Sequence, residues 1–219
     1  MSTLEFPDPH ATWVDGLVAV GGRADVGTLY HAYSRGIFPW PQEGMPMLWF
    51  SPEERGVLVF DELHVPKRLQ RDLERDEGLR YSRDEAFAAV IAACRDQKRP
   101  GQQGTWILPG MIEAYLNFHR AGFVRSFEVW RGAELVGGLY GVLVEGVFSG
   151  ESMFHRETDA SKKALVYAVS ELQAEGLDWM DTQMVTPVVQ SLGGRTIPRE
   201  EYLRWMKKSQ LAWNRPGRR

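Results

Sequence analysis

The sequence predicts an α+β fold, a mixed sheet with helices packed on it, and three observations carry that reading. Tight turns at Arg131-Gly132 and Glu145-Gly146 join three apolar segments between Phe127 and Phe154 as successive hairpin strands. A helical stripe of Leu165, Ala168, Val169 and Leu172 follows directly. One more short strand and one more helix then complete the order, which places strands and helices in one layered domain.

Taken in order, the elements have identifiable causes. Asp25 is suited to cap a short helix through Tyr33, and Gly36 ends it. Two proline-rich turns are expected next, Phe38-Pro39-Trp40-Pro41 and Trp49-Phe50-Ser51-Pro52, with aromatics that look exposed for connecting segments. Ser82-Arg83-Asp84-Glu85 reads as a capping box before a helix with Phe87, Val90, Ile91 and Cys94 on its buried side. A second helix is expected from Pro109 to Ala121, with Ile112, Tyr115, Leu116 and His119 on one face and Gly122 past its end. After the hairpins, Asp159 is placed to cap the Leu165 helix, which Gly176 closes. Trp179 to Val185 reads as a strand, and a last helix opens at Pro198 with Tyr202, Leu203 and Met206. A boundary near residue 60 divides the expected organisation into a small N-terminal domain, 1–60, and a larger domain, 61–219.

Composition narrows the function classes. No stretch approaches the ~20 apolar residues of a membrane span. The first residues, with Glu5, Asp8 and Asp15, lack the basic start and apolar run of a signal peptide. A single cysteine, Cys94, excludes an intrachain disulfide and suits a reducing cytoplasm. At a net charge of −3, any RNA contact must come from local patches. One basic segment runs from Arg195 through Arg199, Arg204, Lys207, Lys208 and Arg215 to Arg218 and Arg219, against Glu200 and Glu201. A second, Lys67, Arg68, Arg71 and Arg75, is interleaved with Asp72, Glu74, Asp76 and Glu77.

Common catalytic signatures are missing. There is no phosphate-cradling loop, dinucleotide loop or nucleophile elbow, and no His-Glu-x-x-His or cysteine pair for zinc. What remains is polar chemistry on strands. Asp181 and Gln183 share a face by the period of two, and Glu151 ends a glycine-bracketed strand. Strand acids of this kind often only satisfy backbone groups, whereas two of them in one sheet point to a shared cleft. Tyr33, Trp40, Trp49, Phe50 and Trp106 serve equally as core or as stacking surfaces for a planar ligand such as a nucleobase.

Several words of the sequence, in order, resemble the leucyl/phenylalanyl-tRNA–protein transferase family. They include Arg35-Gly36-Ile37-Phe38-Pro39-Trp40, Leu48-Trp49-Phe50-Ser51-Pro52, Gly104-Thr105-Trp106-Ile107 and Ser126-Phe127-Glu128-Val129-Trp130. Leu135-Val136-Gly137-Gly138, Gly150-Glu151-Ser152-Met153-Phe154, Asp181-Thr182-Gln183 and Ile197-Pro198-Arg199 continue the match. The resemblance implies a small N-terminal domain on an acetyltransferase-like (GNAT-like) mixed-sheet domain. It also implies a reaction, in which leucine or phenylalanine, sometimes methionine, passes from aminoacyl-tRNA to a protein or peptide with N-terminal arginine or lysine. The product is marked for degradation. An aminoacyl ester is already activated, so the resemblance implies no metal and no cofactor. Alignment of amine and ester is the main task, worth ~7–11 kcal/mol.

By the same resemblance, Asp181 and Gln183 match a catalytic pair in which the acid orients the Gln183 amide, and Glu151 matches the residue that holds the donor's α-amino group. Tyr33, Trp40, Trp106 and Tyr115 match aromatics around the tRNA's terminal adenosine. Leu139, Phe148, Met153 and Leu165 match the donor side-chain pocket, Leu165 being also part of the buried stripe. One departure is Thr186-Pro187-Val188, where the family commonly carries Asn-x-His. Two other readings stand beside this one. An acetyl-CoA-dependent acyltransferase would need a glycine-rich pyrophosphate loop, and 151–159 contains no glycine. A non-catalytic tRNA- or peptide-binding module would have no use for Asp181, Gln183 and Glu151 together.

Overall fold

The computed structural model describes residues 5–75, 78–98 and 104–215. Asp76, Glu77, Arg218 and Arg219, named above in the charged segments, lie outside them. The N-terminal part comprises β1 (Leu17–Val20), α1 (Val26–Tyr33), β2 (Phe38–Pro39) and β3 (Leu48–Phe50), with the strands in a small antiparallel sheet of order β1-β3-β2. Next come β4 (Glu54–Val59), α2 (Lys67–Arg75), β5 (Leu79–Arg83), α3 (Phe87–Asp96) and α4 (Pro109–Arg120). The chain continues through β6 (Val124–Arg131), β7 (Glu134–Val144), β8 (Val147–His155) and α5 (Ala160–Ala174). It ends with β9 (Trp179–Gln183), α6 (Pro187–Ser191), β10 (Arg195–Pro198) and α7 (Arg199–Trp213). Among the described residues no helix is long and apolar enough to cross a membrane.

The expected mixed sheet is present, with seven strands in the order β10-β4-β9-β8-β7-β6-β5. Every neighbouring pair is antiparallel except β8 with β9. Alternation along β7 sends Leu139 and Leu143 to one side and Tyr140, Val142 and Val144 to the other. The first side is covered by α5, whose Leu165, Ala168, Val169 and Leu172 are buried as the stripe predicts. The second is covered by α1, α3 and α4, and the small sheet's Val18, Phe38 and Trp49 join the same core. The helix α7 packs on β4 and β10 through Tyr202 and Met206.

Several local expectations change. Phe38 and Trp49 are buried rather than exposed, because their segments pair as β2 and β3 and the Trp49 indole donates to the Gly21 carbonyl at 2.9 Å. Ser82 does not cap α3: it lies in β5 opposite Glu128, to which its hydroxyl donates, and Glu85 pairs with Arg80. Asp84, at φ 57, turns the chain between that strand and the helix. The buried side of α4 is Met111, Ala114, Tyr115 and Phe118, rotated from the expected face because α4 meets both α1 and α3. Asp159 precedes α5 in a left-handed conformation, and its carboxylate binds Lys162 at 2.7 Å instead of capping a backbone amide. The strand expected from Trp179 stops at Gln183 and not Val185, since Gln183 has φ 59 and turns the chain. Pro198 ends β10, and α7 begins one residue later.

One irregularity matters beyond the fold. Tyr140 pairs with Ser152 and Gly141 with Gly150, leaving Glu151 as the extra residue of a bulge in β8. The bulge shifts the alternation, so Phe148 and Met153, five residues apart, both face the α5 side. It also requires glycine opposite, because a Cβ at 141 would collide with the Phe148 ring and the Ser149 carbonyl. Gly141→Ala should therefore lower stability by ~1–3 kcal/mol, read as a fall in thermal midpoint. A variant as stable as the parent would show that the bulge adapts freely.

Candidate functional site

The geometry of the site follows from two strands that part. The parallel ladder of β8 and β9 consists of Phe148 with Met180 and Ser149 with Asp181. Beyond it, the bulge at Glu151 bends one strand and the left-handed Gln183 turns the other. Such a conformation at a glutamine costs ~1–3 kcal/mol and persists only where neighbours hold it. Here the Gln183 backbone N–H donates to Asp181 Oδ1 at 2.8 Å, and its side-chain Nε2 donates to Glu151 Oε1 at 2.8 Å. Asp181 thus grips the backbone of Gln183, whereas its expected partner was the carboxamide. That carboxamide spans the gap to Glu151 with its oxygen free of the link.

Two of the expected aromatics complete the cluster. Tyr33 OH donates to Glu151 Oε1 at 2.7 Å and Tyr115 OH to Oε2 at 3.1 Å, while the two hydroxyls lie 2.6 Å apart. Burial first, and then the neighbouring Glu151 charge, hold both phenols well above the usual tyrosine range, so both keep their protons at neutral pH. Three oxygen–oxygen links join these groups, but two phenols supply only two protons. All three links are filled at once when Glu151 is protonated too. In agreement, burial pushes the Glu151 carboxyl up to about 7, against the opposing pull of the Tyr33 and Tyr115 hydroxyls. The residue keeps partial exposure, yet its carboxyl end sits among the two phenols and the Gln183 amide.

Behind Gln183 lies a buried ion pair. Asp181 is fully buried and Arg55 is 1% exposed. Arg55 Nε and Nη2 donate to the two Asp181 oxygens at 2.8 and 2.7 Å, while Ser149 Oγ donates to Oδ2 at 2.9 Å and Tyr202 OH at 3.2 Å. Burial works against the guanidinium charge, but Asp181, Tyr202 and Glu151 together outweigh it and hold Arg55 above its ordinary value. Burial likewise raises Tyr202. Sequence reading missed Arg55, because an arginine after Glu53 and Glu54 looks solvated. Its local signal is the apolar run Val57-Leu58-Val59 that begins two residues later and buries the strand.

The remaining expected residues fall into two places. Trp106 stands edge-on to Tyr115, ring centres 6.3 Å apart, and Trp40 packs beside Phe38 at 6.2 Å, both against the core cluster that contains Tyr33 and Tyr115. Leu139, Phe148, Met153 and Leu165 do come together, in one cluster with Ala168 and Leu172, but on the α5 side of the sheet. Met153 is the least enclosed of the four. Among the described residues, no three His, Cys, Asp or Glu side chains are gathered as a metal site.

The shifted acidity of Glu151 has a consequence for stability. An unfolded glutamate ionises near 4.5, and the folded one near 7, so between these values the folded chain holds the extra proton. Glu151 therefore removes stability as pH rises through that window. Glu151→Gln cannot ionise. Its thermal midpoint minus that of the parent should climb from pH 4.5 to pH 7 and level off on either side. A difference independent of pH would return Glu151 to ordinary acidity.

Comparison with known proteins identifies the family. The family profile described as leucyl/phenylalanyl-tRNA protein transferase matches residues 57–207, and that of its N-terminal domain matches 22–53. A leucyl/phenylalanyl-tRNA–protein transferase of Anaeromyxobacter sp. (strain K) is 49% identical over 198 residues, covering 90% of this chain and 84% of its own length. One from Oleidesulfovibrio alaskensis is 46% identical over 220 residues, covering 98% and 88% respectively. Among solved structures, a GCN5-related N-acetyltransferase from Kribbella flavida aligns at 14% identity with a TM-score of 0.39, covering 78% of this chain and 59% of that one. On the extent of the profile match and the identity to these relatives, the chain belongs to the leucyl/phenylalanyl-tRNA–protein transferase family.

Proposed function

We propose that this chain transfers an amino acid from aminoacyl-tRNA to the N-terminal amine of an acceptor protein, with Glu151, Gln183 and Asp181 as its working polar groups. The observation that carries the residue assignment is the convergence of Glu151, Gln183, Tyr33 and Tyr115 where β8 and β9 part. The reaction forms one C–N bond and breaks one C–O bond. The acceptor amine attacks the ester carbonyl, the terminal ribose oxygen of the tRNA leaves, and the proton lost by nitrogen ends on that oxygen. No redox step or external energy source is needed, so catalysis rests on alignment.

Each group has a part suited to its geometry. The Gln183 amide nitrogen is engaged by Glu151, which turns its oxygen into an acceptor for an N–H of the attacking amine. Asp181 acts through the backbone of Gln183 and does not reach substrate. Glu151 receives the donor's α-ammonium, which favours its ionised form and displaces the proton shared with the tyrosines. Tyr33, Tyr115, Trp40 and Trp106 frame the terminal adenosine. Leu139, Phe148, Met153 and Leu165 receive an apolar donor side chain (leucine, phenylalanine or methionine), since a charged one would cost several kcal/mol to bury unpaired. The acceptor carries N-terminal arginine or lysine, and the new N-terminal residue marks it for degradation.

Single-turnover transfer with leucyl- and phenylalanyl-tRNA tests the assignment. Gln183→Ala should lower the rate by ~10²–10³ while the fold survives, the loss typical of one transition-state hydrogen bond. Trp106→Ala should weaken an aminoacyl-adenosine mimic by ~1–3 kcal/mol if the base stacks on it. A folded Gln183→Ala that transfers at the parental rate removes Gln183 from the mechanism, and an unchanged affinity returns Trp106 to the core.

A further inference from the structure

The Arg55 guanidinium touches more than its ion-pair partner. Its third nitrogen, Nη1, donates to the Gly36 carbonyl at 3.0 Å, and its plane lies against the rings of Phe38 and Tyr202, with centroids 4.7 and 4.5 Å away. Gly36 lies three residues beyond Tyr33, in the tight turn that ends α1, and a Cβ there would collide with the Tyr202 ring. One rigid group therefore ties two segments that meet at Glu151. Through Asp181 it reaches the backbone of Gln183, and through Gly36 the end of the helix that carries Tyr33.

Stability alone is a poor account of such a pair. Buried ion pairs often contribute little net stability over apolar residues of the same volume, because desolvation offsets their attraction. What a guanidinium adds is geometry, with donors in a fixed plane that bind both carboxylate oxygens and still leave one for a carbonyl. A lysine brings the charge without the fork.

We propose that Arg55 is a positioning residue for transfer, setting Gln183 through Asp181 and the Tyr33 helix through the Gly36 carbonyl. This rests on the function proposed above. Arg55 itself touches no substrate. Its loss should disturb the reacting geometry and leave the binding of charged tRNA nearly intact.

The test compares Arg55→Lys, Arg55→Ala and the parent in single-turnover transfer over a range of phenylalanyl-tRNA concentrations, with circular dichroism to confirm folding. Both variants should lose ~10-fold or more of the saturating rate while the half-saturating concentration moves less than ~3-fold, the pattern of a lost transition-state contribution. Millimolar guanidinium should restore several-fold activity to Arg55→Ala, and none to Arg55→Lys or Gln183→Ala. Four outcomes overturn the proposal: a parental saturating rate in Arg55→Lys, a loss confined to half-saturation, a folded Arg55→Ala deaf to guanidinium, or failure of Arg55→Lys to fold, which would make the residue a determinant of the fold alone. Absence of transfer by the parent with every charged tRNA would sink the functional reading itself, and this proposal with it. Parental transfer with an unaffected Arg55→Lys would sink only the latter.

Discussion

The buried pair of Arg55 and Asp181 ties three paired strands, the helix packed on them and the turn at Gly36 to one charge pair. Asp181 accepts from Arg55, Ser149, Tyr202 and the backbone of Gln183, so strands β4, β8 and β9 and helix α7 all meet on one carboxylate. Two charges so fully removed from water persist only when almost every donor and acceptor is used. That requirement fixes their neighbours: Gly36 must offer a carbonyl, Tyr202 a hydroxyl and a ring, and Phe38 a ring. The small N-terminal sheet is thereby held against the same strands that carry the polar site.

The second constraint is the bulge in β8. Without the extra residue, Glu151 would sit in a regular ladder and Met153 would face away from Phe148. With it, Glu151 projects towards Tyr33 and Tyr115, while Phe148 and Met153 turn together to the α5 side. One inserted residue thus sorts polar chemistry to one face and apolar volume to the other, on either side of the place where β8 and β9 part. The cost is visible at Gly141, which has no room for a side chain.

Desolvation then sets the chemistry of Glu151. A carboxyl among two phenols and an amide has enough hydrogen-bond partners, but too little water to ionise readily, and its acidity moves to the neutral range. A carboxyl poised there changes charge state under a small change in its surroundings. The same burial keeps Tyr33 and Tyr115 protonated, so the cluster is a reservoir of donors around one group that can switch. The opposing charges of Asp181 and Arg55 act on Glu151 in contrary senses and leave burial as the leading effect.

Much of this was legible in the sequence. The hairpins around Gly132 and Gly146, the stripe of α5 and the cap at Asp25 follow from local rules, since turn chemistry and helical spacing depend only on neighbours along the chain. Asp181, Gln183 and Glu151 stood out because acids and amides are unusual on otherwise apolar strands. The short strands β1 to β4 and β10 were missed, because a strand of a few residues has too little alternation to announce itself, and Ser82 was misread because a capping box and an edge strand share that local spelling. Arg55 shows the limit most clearly. An arginine beside two glutamates reads as solvated, and only the folding of β4 between β10 and β9 removes its water and delivers it to Asp181. The sequence by itself determined the hairpins, the α5 stripe and the Asp25 cap, and it marked the polar groups that stand on apolar strands. Tertiary structure decided which of them lose their solvent, and the raised pKa values and the ion pairing follow from that loss, which no local pattern encodes.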